Sequence, residues 1–200
     1  MLWTKLVHLG DLPFTLSAAA ALSAWLLAAR AWRMAFWWSL LFALGIGVVG
    51  ATKVAFLGWG TALPALEFKA LSGHAAGVTA VYTTLFYLLL WHRGRHARVA
   101  GIAAGLLLGA LMGVLLVAEE EHSPAEAAAG WAIGALVSLG GIWKAGELPA
   151  HSPAFGLVGS GLVFVAAIYI LRSVPFGWLM VRTAVFLSGN TRPFPWGAGS

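Results

Sequence analysis

An all-α, polytopic membrane bundle of about six transmembrane helices is the fold this sequence predicts, and three observations predict it. Of the 200 residues, 60% are hydrophobic and only 10% are charged, more apolar surface than one water-soluble core of that size can hide. The apolar residues gather into runs close to the roughly 20 that a helix needs to cross a hydrocarbon core about 30 Å thick. The basic residues, 12 against 7 acidic, form short clusters between those runs. They read as topology signals rather than a polyanion-binding face, so no nucleic acid is expected as a partner. There is no cysteine, which excludes disulfides, thiol nucleophiles and thiolate metal sites.

Met1 to Leu12 carries Lys5, His8 and Asp11 ahead of the first apolar run, which lacks a small-residue cleavage site and reads as a retained helix. Eighteen uncharged residues separate Asp11 from Arg30 and make the first span. The second lies between Arg33 and Lys53. Arg30 to Arg33 is a tight antiparallel link, cytoplasmic by the positive-inside rule. Val54 to Leu71, with Gly58, Gly60 and Pro64, reads as an outer loop with at most a short helix. Ala75 to Trp91 is the third span, followed by the basic inner loop His92 to Arg98, and Val99 to Ala118 is the fourth. Glu119 to His122 marks the outer face. Ala127 to Trp143 descends, Lys144 to Pro153 makes an inner loop with Glu147 and His151, and Ala154 to Leu171 returns. Arg172 to Ser200 reads as an interfacial segment with a loose tail. Gly101, Gly105, Gly109 and Gly113 recur every four residues, a spacing that lets helix backbones approach closely.

This topology brings Lys53, Ser72, His74, His122 and Glu126 to one depth on the outer face, and convergent ionisable groups at span ends are commonly functional. His122 and Glu126 are four apart and share a helix face, so the carboxylate can orient one imidazole nitrogen while the other meets a substrate. Ser123-Pro124-Ala125-Glu126 is equally a helix-start signature, a capping box with proline in the first turn. Ser72 reads as a second helix cap, beside Gly73, where an oxyanion can approach the backbone. Two helix starts facing each other make an anion site, phosphate being a natural occupant. Lys53 serves as phosphate contact or as a snorkelling anchor.

The stretch Leu71-Ser72-Gly73-His74-Ala75-Ala76-Gly77 resembles the Pro-Ser-Gly-His motif of the type 2 phosphatidic acid phosphatase (PAP2) and vanadium haloperoxidase superfamily. His122-Ser123-Pro124-Ala125-Glu126, followed by Gly130 and Gly134, resembles its third motif. The resemblance covers a motif core at 53–134 within a single membrane domain at 1–200. It implies that His122 attacks phosphorus to form a phosphohistidine, that Glu126 stands where the family has an orienting aspartate, and that His74 protonates the leaving alcohol. It also implies that Lys53, Ser72 and Gly73 bind phosphate oxygens, with no metal or other cofactor. The substrate is then a lipid phosphate or diphosphate among the membrane lipids. The implied place is the bacterial inner (plasma) membrane, with the site toward the periplasm or exterior.

The sequence departs from the family at Gly60 and Thr61, where its first motif has Arg-Pro, at Leu116, where its third has arginine, and at Leu71 in place of proline. Lys69 and Arg172 are the cations expected to replace the two guanidinium groups. Two alternatives remain open on the residues. One is an inactive or divergent relative that binds a lipid headgroup or a partner. The other is a metal site drawn from His74, Glu119, Glu120, Glu121, His122 and Glu126, whose imidazole and carboxylate groups suit zinc, manganese or iron.

Overall fold

The computed structural model describes residues 7–146 and 153–196. Among these residues seven α-helices follow in order: α1 (Leu12–Ala28), α2 (Trp32–Trp59), α3 (Gly73–Leu89), α4 (Arg95–Ala118), α5 (Pro124–Lys144), α6 (Pro153–Leu171) and α7 (Phe176–Ser188). Among the described residues the one β pairing is an isolated bridge, Leu63 with Phe68. By length and composition α2, α4 and α5 can cross a membrane, and α6 with α7, bent by 57° at their junction, makes a fourth if the pair is one broken span. This is the architecture of an integral membrane protein. α1 is apolar but has 17 residues. Expected inner-loop residues Glu147 and His151, and Lys5 near the start, lie outside the described residues.

α3 is the hub, buried along most of its length between α4, α5 and α1. Its register is set by glycines on its neighbours. A Cβ on Gly101 would lie 2.8 Å from the Phe86 carbonyl oxygen, and one on Gly105 or Gly109 would collide with Thr83 or Thr79. The four-residue stripe is therefore where α4 presses antiparallel onto α3. Gly130 meets Ser72 and Gly134 meets Ala76 and Thr79, so α5 runs parallel to α3, and Gly10 against His74 with Gly77 against Thr15 does the same for α1. These pairings gather the starts of α1, α3 and α5 and the end of α2 at one end of the bundle. The arginine-rich turns lie at the other end, where Arg98 stacks over Trp91 and Lys144 over Trp37.

Two expectations need correction. α2 does not stop near Lys53 but continues to Trp59, where Gly60 closes it in the left-handed region at φ 66°. A single lysine interrupts an apolar run without interrupting a helix, since Lys53-Val54-Ala55-Phe56-Leu57 holds no breaker. Nor is the chain beyond α7 loose through Trp196. Asn190 Nδ2 donates to the Gly58 carbonyl at 2.6 Å, Phe194 N–H to Leu57 at 2.8 Å, and Lys69 Nζ to Trp196 at 2.6 Å. Carbonyls at the end of a helix have no partner within it, and here the tail supplies donors.

Candidate functional site

His122 is placed by the turn that ends α4. Glu120 sits in the left-handed region at φ 58°, and the Leu116 carbonyl accepts from both Glu121 N–H at 3.0 Å and His122 N–H at 3.3 Å. This is a Schellman-type stop with a non-glycine residue at its strained position. α5 then starts at once. Ser123 Oγ accepts from Glu126 N–H at 3.2 Å, and Ser123 N–H donates back to Glu126 Oε2 at 3.2 Å, a complete capping box.

The same carboxylate also orients the histidine. Glu126 Oε2 takes His122 Nδ1 at 2.8 Å, while Oε1 accepts from Lys69 N–H at 2.7 Å and Ala70 N–H at 3.1 Å. Capping and orienting, which compete when considered on the motif alone, share four lone pairs without conflict. Glu126 is buried at 5% exposure, as only a fully hydrogen-bonded carboxylate can be. It also pins the strand of chain 69–72 against α5, helped by Ser72 N–H on the Glu126 carbonyl at 3.2 Å. With Nδ1 engaged, Nε2 of His122 is the nitrogen left to meet a ligand. Burial holds this imidazole below the usual histidine range. The charges of Lys53 and His74 act in the same direction, and the Glu126 hydrogen bond opposes them.

In front of His122 opens a cavity of about 870 Å³, whose wall includes Lys53, Lys69, Glu67, Glu120, Glu121 and Trp196. Of the residues singled out by sequence, His122, Glu126, Lys53 and Lys69 line it. Ser72 and Gly73 do not. The Ser72 hydroxyl is fully buried and accepts from Ala75 N–H at 3.3 Å, so it caps α3 rather than contacting a ligand. A Cβ on Gly73 would meet Val49 at an ordinary 3.5 Å, so no close approach demands glycine there. The N–H groups of Gly73 and His74 have no partner among the described residues, leaving two donors at the start of α3. His74 is not one of the lining residues; its side chain is 25% exposed, with Nε2 3.1 Å from Asp11 Oδ1. Arg172 is not at the site at all. It is exposed just past the end of α6, and its guanidinium stacks 4.7 Å over Tyr169 in the last turn of that helix, where a cation–π contact and solvent satisfy it.

The departures from the family pattern are built into the packing. Leu116 is fully buried with Val7, Ala75, Val78 and Met112, a place that would leave a guanidinium unpaired. Gly60, where an arginine would stand, carries the ring of Phe194 within 2.8 Å of its would-be Cβ. Leu71 N–H donates to Thr52 Oγ1 at 3.2 Å, a bond proline lacks. Sequence reasoning missed Asp11 as a partner of His74, and missed Trp196 and Glu67 on the cavity wall. The lone acidic residue before the first span was the signal for Asp11, while nothing local marked the other two.

Fold and site together define a helical membrane protein with a carboxylate-oriented histidine at the mouth of a polar cavity. Comparison with known proteins adds one relative, an uncharacterized 22.5 kDa protein in the cps region of Klebsiella pneumoniae, 34% identical over 136 residues. The match covers 68% of this chain and 65% of that protein, so the chain spans just under two thirds of its relative. No protein-family model and no solved structure matches.

Proposed function

We propose that this chain is a PAP2-type membrane phosphohydrolase that cleaves a lipid phosphate or diphosphate at the outer face of the bacterial inner membrane, with six spans in all. The observation that carries the reading is the His122 Nδ1–Glu126 Oε2 pair at 2.8 Å, which leaves Nε2 toward a cavity with two lysines on its wall. His122 Nε2 attacks phosphorus as the ester P–O bond breaks, and His74 gives its proton to the departing oxygen. Water then attacks the phosphohistidine, His74 takes the water proton, and the N–P bond breaks to release phosphate. Lys53 and Lys69, both on the cavity wall, offset charge on the phosphoryl oxygens.

An apolar groove of about 440 Å³ between α4 and α5 supports a lipid rather than a soluble ester. It shares Val117 and Pro124 with the polar cavity and continues along Gly113, Ala127 and Trp131, as a headgroup site with an adjoining chain site would. A second reading, an inactive relative that binds a headgroup, is favoured by one observation: Glu67, Glu120 and Glu121 share the cavity wall with only two lysines. The metal-site alternative has less support, because among the described residues no three His, Asp or Glu side chains come together to hold an ion. Purified protein incubated with phosphatidate, phosphatidylglycerophosphate and polyprenyl diphosphate in the presence of chelator should release phosphate. Headgroup binding without release would establish the inactive relative, and activity lost to chelator would restore the metal.

A further inference from the structure

Asp11 stands 63 positions before His74 and outside both motifs, yet its carboxylate spans two histidines. Oδ1 meets His74 Nε2 at 3.1 Å and Oδ2 meets His8 Nδ1 at 3.0 Å. Asp11 occupies the N-cap of α1, where aspartate ordinarily bonds the first helical N–H groups, but its side chain makes no cap bond. The helix start is held instead by its backbone, whose carbonyl accepts from Thr15 N–H at 2.9 Å and Thr15 Oγ1 at 3.2 Å. The carboxylate is thus committed to the imidazoles and not to the helix. The approach is built in: a Cβ on Gly10 would lie 2.7 Å from His74 Cδ2, so the chain next to Asp11 can rest on the first turn of α3 only with glycine there.

From this geometry we infer that Asp11 is a positioning residue that holds His74 as the proton donor for the leaving oxygen, an inference that rests on the phosphohydrolase reading above. A carboxylate on Nε2 fixes the ring and occupies that nitrogen, which leaves Nδ1–H as the proton to be given away. In the first step the P–O bond to the leaving group breaks, that oxygen takes the Nδ1 proton, and Asp11 stays ionised beside neutral His74. In the second, His74 recovers a proton from the attacking water while Asp11 again faces an imidazolium. No proton passes to the carboxylate.

The test compares leaving-group release in the first turnover for two esters, phosphatidate, whose alkoxide needs a proton, and p-nitrophenyl phosphate, whose leaving group does not. The full-length Asp11→Asn protein should lose rate on the alkyl ester in excess of the aryl ester by on the order of 10²-fold, the scale of general acid catalysis. Its melting temperature should stay close to wild type, since the backbone carbonyl still anchors α1. In a His74→Gln background, Asp11→Asn should cost nothing further on either ester. Equal losses on both esters, or a further loss in the His74→Gln background, would overturn the positioning role while leaving the phosphohydrolase reading intact. Wild-type protein that releases neither leaving group removes that reading and this inference together.

Discussion

Glu126 is the residue on which local structure and chemistry meet. Its four accepted hydrogen bonds come from a histidine side chain and three backbone N–H groups. In Glu126→Gln the amide oxygen can still serve Lys69 and Ala70, but the other position becomes a donor and faces the wrong tautomer of His122. Turnover should therefore fall by up to about 10⁴, with a much smaller change in melting temperature. Ser123→Ala removes only the cap and should cost about 1 kcal/mol of stability with little loss of turnover. If the two variants lose turnover alike, Glu126 acts as a cap and nothing more. The depressed proton affinity of His122 sets a second expectation. Its folded-state pKa lies below the unfolded value of about 6.5, so the unfolded chain takes up a proton first as pH falls. This group's contribution to stability is therefore complete above pH ~6.5 and declines below it, down to the folded pKa. On the proposed mechanism the nucleophile is the neutral imidazole, which persists through the same window, so the acid limb of kcat/KM should lie below pH ~6.5, and a limb centred above that value would contradict the assignment.

At the scale of elements, the contact of α4 with α3 separates glycines that are required from one that is not. Gly109 has Thr79 directly in the path of any Cβ, whereas a Cβ on Gly113 would meet Ala127 at 3.6 Å. Gly109→Val should unseat α4 from the hub and lower the melting temperature sharply, while Gly113→Ala should change it little. Equal tolerance of both, read by thermal unfolding in detergent, would mean that the stripe is not the contact described. The helices α1 to α6 and the glycine stripe were legible from hydrophobic run length and four-residue spacing, because both signals are local, whereas α7 (Phe176–Ser188) lies in a stretch read only as an interfacial segment and tail. The end of α2 was misplaced because charge marks where a chain leaves an apolar medium, whereas a helix ends where its backbone finds a partner, here Gly60 and the tail. His122 with Glu126 was legible for the same local reason, being one turn apart. Asp11 with His74 and Lys69 with Trp196 were not, since each pair is made by the packing of distant segments and neither leaves a mark in the spacing of residues.

For the whole molecule, the expected orientation places the arginine-rich turns in the cytoplasm and the end of α4 outside. The chain has no cysteine, so each introduced thiol is the only one. His92→Cys and Glu119→Cys sit on exposed positions at opposite ends of the bundle, and an impermeant thiol reagent applied to intact cells should label Glu119→Cys and spare His92→Cys. The reverse pattern would turn the site inward. Gly94 is a poorer choice for the inner position, because its backbone at φ 92° disfavours any side chain. Residues 190–196 lie along the end of α2, with Trp196 on the cavity wall and its carbonyl on Lys69. That arrangement has a practical side for anyone preparing the protein. A bulky group inserted directly after Trp196 stands beside the cavity wall and disturbs the Lys69–Trp196 contact, whereas a handle on the arginine-rich turns leaves that contact alone.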